Sequence, residues 1–478
     1  MTPESDPFTE PRKVVEDTNG IDLWSRFRQS RRCANAIAKF FQFDQHQAKL
    51  STEILAGVTT FVTMAYILVV NPDILSNAIF LQQPKDLFGE LVIATGISAA
   101  LATLVMGLYA KYPFSLAPGM GLNAYFAFSV VLGLGIDWRV ALAAVFIEGL
   151  IFIVLTVTGV RRKIVTGIPE CIKQATTTGI GLFIAYIGLN SSGIITQSQA
   201  TTTTLGDLTE PATLVTIVGI LITSALIARR ITGALLWGIL ATALLAWILG
   251  IAPWPQGIVA LPQWPGDLLG QAFVGLSQVV QTNIWELLSI LFVLLFVDLF
   301  DTVGTLTGLG VKAGYINQKG EFAHGSRAFM ADAIGTTAGA ILGTSTVTTY
   351  IESASGLLEG GRTGLTAVVT AILFALSIVF IPFLSAIPSF ATAPALVMVG
   401  VLMIGSVRKI HWDDPAESIP SFLTILIMPL SYSIADGLAV GLITFPLLKA
   451  FQGKVHETTI AMWILATVFI LKFSLVGA

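Results

Sequence analysis

Hydrophobic and polar positions along this chain come in blocks. Residues 1–50 are polar and hold eight basic side chains: Arg12, Lys13, Arg26, Arg28, Arg31, Arg32, Lys39 and Lys49. From about Glu53 onward the chain is a series of apolar runs, most of them close to the roughly 20 helical residues that cross a hydrocarbon core. The runs lie near 54–75, 91–110, 114–134, 139–159, 172–189, 212–228, 231–250, 286–308, 328–341, 342–358, 363–383, 390–406, 419–434 and 435–451. The pattern predicts fourteen crossings, some short or irregular. A further apolar stretch, 459–476, is left over. It is either a fifteenth crossing, the pairing that keeps Lys449 and Lys454 inside, or the fourteenth if 419–451 is one long broken element.

Basic residues provide an independent check, because they collect in cytoplasmic loops. With the amino terminus inside, inner loops and helix ends receive Lys111, Arg161, Arg162, Lys163, Lys173, Arg229, Arg230, Lys312, Lys319, Arg327, Arg362, Arg408, Lys409, Lys449 and Lys454, and only Lys85 and Arg139 fall outside. Segments 190–211 and 251–285 hold no basic residue and are expected outside. The tail lacks the basic-then-apolar order and small-residue cleavage site of a signal peptide. The expected location is the plasma membrane, with a cytoplasmic amino terminus.

Composition agrees with the pattern. Hydrophobic residues make up 54% and charged residues 12% of the 478, against about 25% charged in a soluble domain, and mean hydropathy is +0.81. A net charge of −3 gives no bias toward nucleic acid. Cys33 and Cys171 lack metal-site spacing. The four histidines fall in the tail or loops, and His456-Glu457 begins an incomplete HExxH pattern. With no P-loop and no GxSxG elbow, neither an enzyme nor ATP coupling is expected, and no cofactor.

Fourteen crossings divide into seven plus seven, and an odd-numbered unit repeated once comes out inverted. Position three of each half has a poor helical opening. Residues 113–123 contain Pro113, Pro118, Gly119 and Gly121, and residues 343–349 read Gly-Thr-Ser-Thr-Val-Thr-Thr. Proline removes backbone donors, and runs of Thr and Val favour extended geometry. Each opening predicts a short extended segment followed by a half-helix. Non-helical backbone at membrane depth survives only where protein or a wet cavity satisfies it, so the two segments should face each other or a shared site. The fold class expected is an all-α polytopic membrane protein with extended segments before half-helices in spans 3 and 10.

Six carboxylates lie at membrane depth: Glu148, Asp298, Asp301, Asp332, Glu352 and Asp436. Each needs a reason to be there, since an unpartnered one costs about 2.5–3.5 kcal/mol on the insertion scale. Asp298 and Asp301 share a helix face at i,i+3 spacing, where two carboxylates disfavour double ionisation; a proton carrier needs such a pair. Packing anchors for neighbouring hydroxyls are the competing role. Glu352 is expected just inside the second half-helix, where the dipole favours an anion. Asn123 is its amide counterpart in the first. Packing or turn roles are favoured for Glu148, for Asp332, one turn after Arg327, and for Asp436, in an Ala-Asp-Gly that would join two short helices.

Long motifs in order carry a resemblance: Ala56–Phe61 through Asn71–Leu75, Ala117–Phe126, Val297–Thr305, Gly343–Gly356 and Tyr432–Gly437. Over residues 40–451 the chain resembles the nucleobase/ascorbate transporter superfamily of xanthine and uracil permeases, in its AzgA-like branch of adenine, guanine and hypoxanthine permeases. The resemblance implies a core domain from spans 1–4 and 8–11 (51–160 and 286–384) and a gate domain from spans 5–7 and 12–14 (161–285 and 385–478), with 1–50 a cytoplasmic tail. It further implies proton-coupled import of purine nucleobases, with Glu352 and Asp298 contacting substrate, Asn123 supporting, and Asp301 contributing to binding or, with Asp298, to proton coupling. Thr349 joins the candidate substrate-binding set. Phe126 is a candidate stacking face, with a lipid- or core-facing position as its alternative. The related fold often dimerises through its gate. The alternative function is an anion exchanger or channel of the same inverted-repeat architecture, although a carboxylate at Glu352 would repel an anion unless protonated.

The topology is checked by cysteine accessibility: Thr203→Cys is expected to react with a membrane-impermeant maleimide added outside, and Arg230→Cys only after the membrane is permeabilised.

Overall fold

The computed structural model describes residues 35–159, 167–262, 264–315 and 325–475. Arg161, Arg162, Lys163, Lys319, His324 and the tail residues before 35 lie outside them. The described residues 35–47 belong to one unit, with a helical segment at 35–40 and a helical turn at Phe43–His46. All that follows concerns residues 48–478, the second unit.

The second unit is mostly helical. Its elements are α1 (Leu50–Met64), α2 (Ile67–Leu75), α3 (Phe88–Val105), β1 (Leu116–Pro118), α4 (Met120–Ala124), α5 (Trp138–Thr158), α6 (Glu170–Ser191), β2 (Ile195–Ser198), β3 (Thr202–Leu205), α7 (Pro211–Ala228), α8 (Ala234–Ile248), α9 (Gln271–Gln278), α10 (Ile284–Ala313), α11 (Gly325–Leu342), β4 (Val347–Thr349), α12 (Ser353–Leu358), α13 (Gly364–Ser377), α14 (Ile381–Ser385), α15 (Ala393–Met403), α16 (Pro415–Ser431), α17 (Ile434–Phe451) and α18 (Ile460–Leu475). Among the described residues, eight helices are long and apolar enough to cross a membrane. Several helices are apolar all round, as expected of elements that meet both protein and lipid.

The apolar runs coincide with helices, and the departures have local causes. The first run breaks at Ala65-Tyr66, and Pro72 lies inside α2. The residues after α4 wind as a π-helix over Tyr125–Gly133. The segment 190–211 contains the β2–β3 hairpin. The leftover stretch forms α18, which packs on α17.

The two segments expected to be extended are strands, and they pair with each other. β1 and β4 run antiparallel, Leu116 opposite Thr349, Ala117 opposite Thr348 and Pro118 opposite Val347. The Gly119 N–H donates to the Thr346 carbonyl at 2.9 Å, and the Tyr350 N–H to the Ser115 carbonyl at 3.0 Å. A two-stranded ladder leaves two open edges, and here a threonine from a flanking helix attends each. Thr103 of α3 donates its hydroxyl to the Leu116 carbonyl and accepts from the Leu116 N–H, both at 2.9 Å. Thr336 of α11 does the same for Val347, at 3.0 and 3.3 Å.

Helices gather around this crossing in two sets. α5 packs on α11, α3 on α11 and α13, and α1 on α12 and α13; separately, α6 packs on α15, α16 and α17, and α7 on α8 and α15. Small residues allow close approach. A Cβ added at Gly364 would stand 2.0 Å from the Gly107 carbonyl, and one at Gly107 would stand 2.6 Å from the Gly364 carbonyl. Backbone lies against backbone, with no flexible side chain to yield. Gly364→Ala is expected to cost about 1–3 kcal/mol through overpacking, read as a lower thermal unfolding midpoint in detergent with helical content unchanged.

Candidate functional site

Consecutive polar side chains of the β4 segment reach different helices. Thr344 accepts from Asn71 Nδ2 of α2 at 3.0 Å. Ser345 donates to Asn123 Oδ1 of α4. Thr346 donates to Glu148 Oε2 of α5 at 2.7 Å, Thr348 to Asp301 Oδ2 of α10 at 3.2 Å, and Thr349 to Asp332 Oδ1 of α11 at 3.4 Å. Only Val347 breaks the series. The run of hydroxyls in the sequence is therefore a row of donors and acceptors at the centre of one helix set.

Each carboxylate at this centre has a neutral hydroxyl among its partners. Thr302 lies 2.9 Å from Asp332 Oδ2 and 3.3 Å from Asp298 Oδ1. A hydroxyl has one hydrogen, so it can donate to only one of them; the other contact is a hydrogen bond only if that carboxyl carries a proton. Asp298 thus shares a partner with Asp332, whereas Asp301 turns to Thr348. Both Asp298 and Asp332 are fully buried, while Asp301 is half-buried and lines a cleft.

Glu352 sits one residue outside the half-helix expected to contain it. It is the N-cap of α12, makes no side-chain cap bond, and accepts from the Tyr66 hydroxyl through Oε1 at 2.8 Å. Asn123 holds Ser345 through its carbonyl oxygen, while its buried Nδ2 has no partner among the described residues. Thr349 directs its hydroxyl to Asp332 and forms part of the ladder. Phe126 is buried in the apolar core and is not among the residues lining the cleft. Asp436 lies in the first turn of α17, 3.6 Å from Lys472 of α18. The helix joint expected there falls earlier, where Tyr432 takes a left-handed conformation (φ 54°) and Ser433 caps α17.

Four buried polar residues make contacts that spacing along the chain does not reveal. Glu148 and Asp332, read as packing groups, belong to the hydroxyl network. Tyr66, at the break in the first run, is a buried aromatic whose polar end meets Glu352; a phenol at membrane depth was the only signal. Glu53 is fully buried and accepts from the Arg362 and Thr363 N–H groups and the Thr363 and Thr366 hydroxyls, at 2.6 to 3.2 Å. It thereby ties the start of α1 to the start of α13, where a helix N-terminus favours an anion.

The cleft lies between the two helix sets. Gly119, Gly121, Leu122 and Asp301 form one wall; Thr176, Thr177, Ile180 and Met403 form the other. Lys173, in the first turn of α6, stands at the cleft with its amine 5.5 Å from the Phe300 ring centroid. Carboxylate, hydroxyl, aromatic and ammonium groups thus meet one space. A flat polar molecule could be held there by hydrogen bonds at its rim and apolar contact on its faces.

A model described as the Permease family, for xanthine/uracil permeases, matches residues 51–440. The chain is 43% identical to the guanine/hypoxanthine permease PbuG of Bacillus subtilis, over 91% of this chain and 98% of that one. It is 38% identical to the adenine permease AdeQ of Escherichia coli, over 93% of this chain and 97% of that one. Among solved structures, the transmembrane domain of a cyanobacterial bicarbonate transporter, BicA, shares the fold with a TM-score of 0.57 at 16% identity, covering 82% of this chain and 97% of that chain.

The network makes a stability prediction. Thr346→Val removes the hydroxyl that donates to Glu148 Oε2, while the other oxygen, Oε1, is buried and unpartnered among the described residues. The expected cost is about 1–3 kcal/mol, read as a lower unfolding midpoint and partly recovered by adding Glu148→Leu.

Proposed function

The chain belongs to the xanthine/uracil permease family, and from that membership we propose that it imports purine nucleobases (adenine, guanine or hypoxanthine) across the plasma membrane by proton symport. Its architecture in this reading is fourteen crossings arranged as a 7+7 inverted repeat, with the amino terminus inside. The core is 51–160 with 286–384, and the gate is 161–285 with 385–478. Three observations support the division: apart from α9, which lies in the gate range but packs on α5 of the core, the helices that pack together most extensively fall within one domain; β1 and β4 occupy corresponding places; and Thr103 and Thr336 attend them from corresponding helices.

The observation that carries the reading is the cleft between the sets, with Asp301 on its wall beside the β1–β4 crossing. A purine is flat, neutral and rich in N–H donors and ring-nitrogen acceptors. Asp301 would accept one of its N–H groups at the cleft wall; Glu352 and Asn123, whose Nδ2 has no partner among the described residues, do not line the cleft in this state and would join the site as it closes on the ligand. Protonation of the buried Asp298 and of Asp301 on the cleft wall would permit binding against Glu352, after which core and gate rock to expose the site inward. Two fully buried carboxylates sharing the one hydrogen of Thr302 support a proton in this cluster.

The anion-exchanger alternative is weaker. Likeness to the bicarbonate transporter is one of fold, and fold does not carry substrate. Carboxylates at Asp301 and Glu352 also suit a neutral N–H donor better than an anion.

Proteoliposomes with an acid-outside pH gradient are expected to accumulate labelled hypoxanthine or adenine, with unlabelled purines competing and small anions failing to compete. Glu352→Gln and Asp298→Asn are each expected to lower gradient-driven accumulation by about 10- to 100-fold, the effect of losing an interaction worth about 1.5–3 kcal/mol. Wild-type-like accumulation by either variant would count against the mechanism.

A further inference from the structure

Lys85 and Arg139 stand out as cations on the outer side of a chain whose other basic loops face inward. Arg139 has local work. Its Nε donates to Gln271 Oε1 at 3.0 Å, and its guanidinium lies over the Trp138 ring. Lys85 reaches farther. Its ammonium donates to Ser389 Oγ at 2.7 Å and lies 3.3 Å from Asp73 Oδ1. The other oxygen of Asp73 accepts from the Thr392 hydroxyl at 2.8 Å.

These contacts join two regions distant in sequence. Asp73 is near the end of α2 and Lys85 is in the connection to α3, on the proposed core. Ser389 and Thr392 precede α15, on the proposed gate. The carrying loop is held by its own bonds, since Asp86 accepts from the Leu81 and Gln82 N–H groups at 2.9 to 3.3 Å. On the opposite face the cleft reaches Lys173, at the end of α6 that the distribution of basic residues assigns to the inside. Contact on the outer face and a cleft toward the inner face are complementary halves of one state.

We propose that Asp73–Thr392 and Lys85–Ser389 form an outer latch, which closes gate against core while the cleft faces inward and parts whenever the carrier opens outward. The proposal rests on the core and gate assignment above. The contacts suit a reversible closure. Asp73–Thr392 is buried and charge-assisted, so it is the stronger of the two. The ion pair to the 42%-exposed Lys85 side chain is weak on its own. The Thr392 hydroxyl also lies 2.7 Å from the Ser389 carbonyl. When Asp73 leaves, Thr392 therefore has an acceptor within its own turn, and water can take up the Asp73 and Lys85 charges. Parting leaves no buried polar group stranded.

The test uses the full chain with Cys33→Ser and Cys171→Ser. Asp73→Cys combined with Thr392→Cys is expected to cross-link on oxidation and to lose nucleobase uptake, with reductant restoring it. Failure to cross-link overturns the latch, as does a cross-linked protein that transports at the reduced rate. A second measurement needs neither substrate nor the double variant. Ile180→Cys, on the gate wall of the cleft, is expected to react with membrane-impermeant maleimide from outside about two- to tenfold faster when Thr392→Val is added, the shift that losing one hydrogen bond produces. Unchanged or slower labelling overturns the latch. Faster labelling in a protein that takes up no nucleobase supports the latch and overturns the transport reading instead.

Discussion

Backbone groups at membrane depth cannot turn to bulk water, and the centre of this structure follows from that constraint. Two stretches of chain that make poor helices are placed where each satisfies the other, as a three-residue antiparallel ladder. Its edges would still be open, and one threonine on each side attends them with a hydroxyl that donates and accepts at once. A short sheet is thereby made tolerable inside a helical body. The half-helices that follow it, and the side chains they carry, are placed by this crossing.

The hydroxyls of the β4 segment extend the same logic to side chains. Asn71, Asn123, Glu148, Asp301 and Asp332 come from five helical segments and each meets a consecutive Thr or Ser apart from the interruption at Val347. Hydroxyl partners differ from cationic ones in a way that matters for the proposed carrier. A hydroxyl can donate to an ionised carboxylate or accept from a protonated one. A buried salt bridge would hold the carboxylate in one charge state, and removing its partner charge would be costly. A site that must gain and lose a proton is better served by threonine than by arginine.

Much of the helical structure was legible because long apolar runs are a one-dimensional signal. The runs at 91–110, 139–159 and 212–228 became α3, α5 and α7 with ends displaced by only a few residues. Prolines at 113 and 118 and the β-branched run at 344–349 marked both strands, since local backbone chemistry reports extended geometry. Glu148, Asp332 and Tyr66 were harder to read. Their importance lies in partners 198, 17 and 286 residues away, and spacing along one helix says nothing about such a partner. Asp298 illustrates the difference: i,i+3 spacing coupled it to Asp301, but folding gives it a hydroxyl shared with Asp332.

The sequence by itself determined the membrane-spanning character of this chain, the order of its apolar segments, its two interrupted spans and the identities of its few buried charges. Those properties follow from side-chain hydrophobicity and local backbone preference, which act over a few helical turns. Tertiary structure decided that the interrupted spans pair with each other, which hydroxyl meets which carboxylate, and that Asp301 but not Phe126 lines the cleft. Such outcomes depend on distances of a few ångströms between residues far apart in the chain, because hydrogen bonds form only when folding brings donor and acceptor into contact.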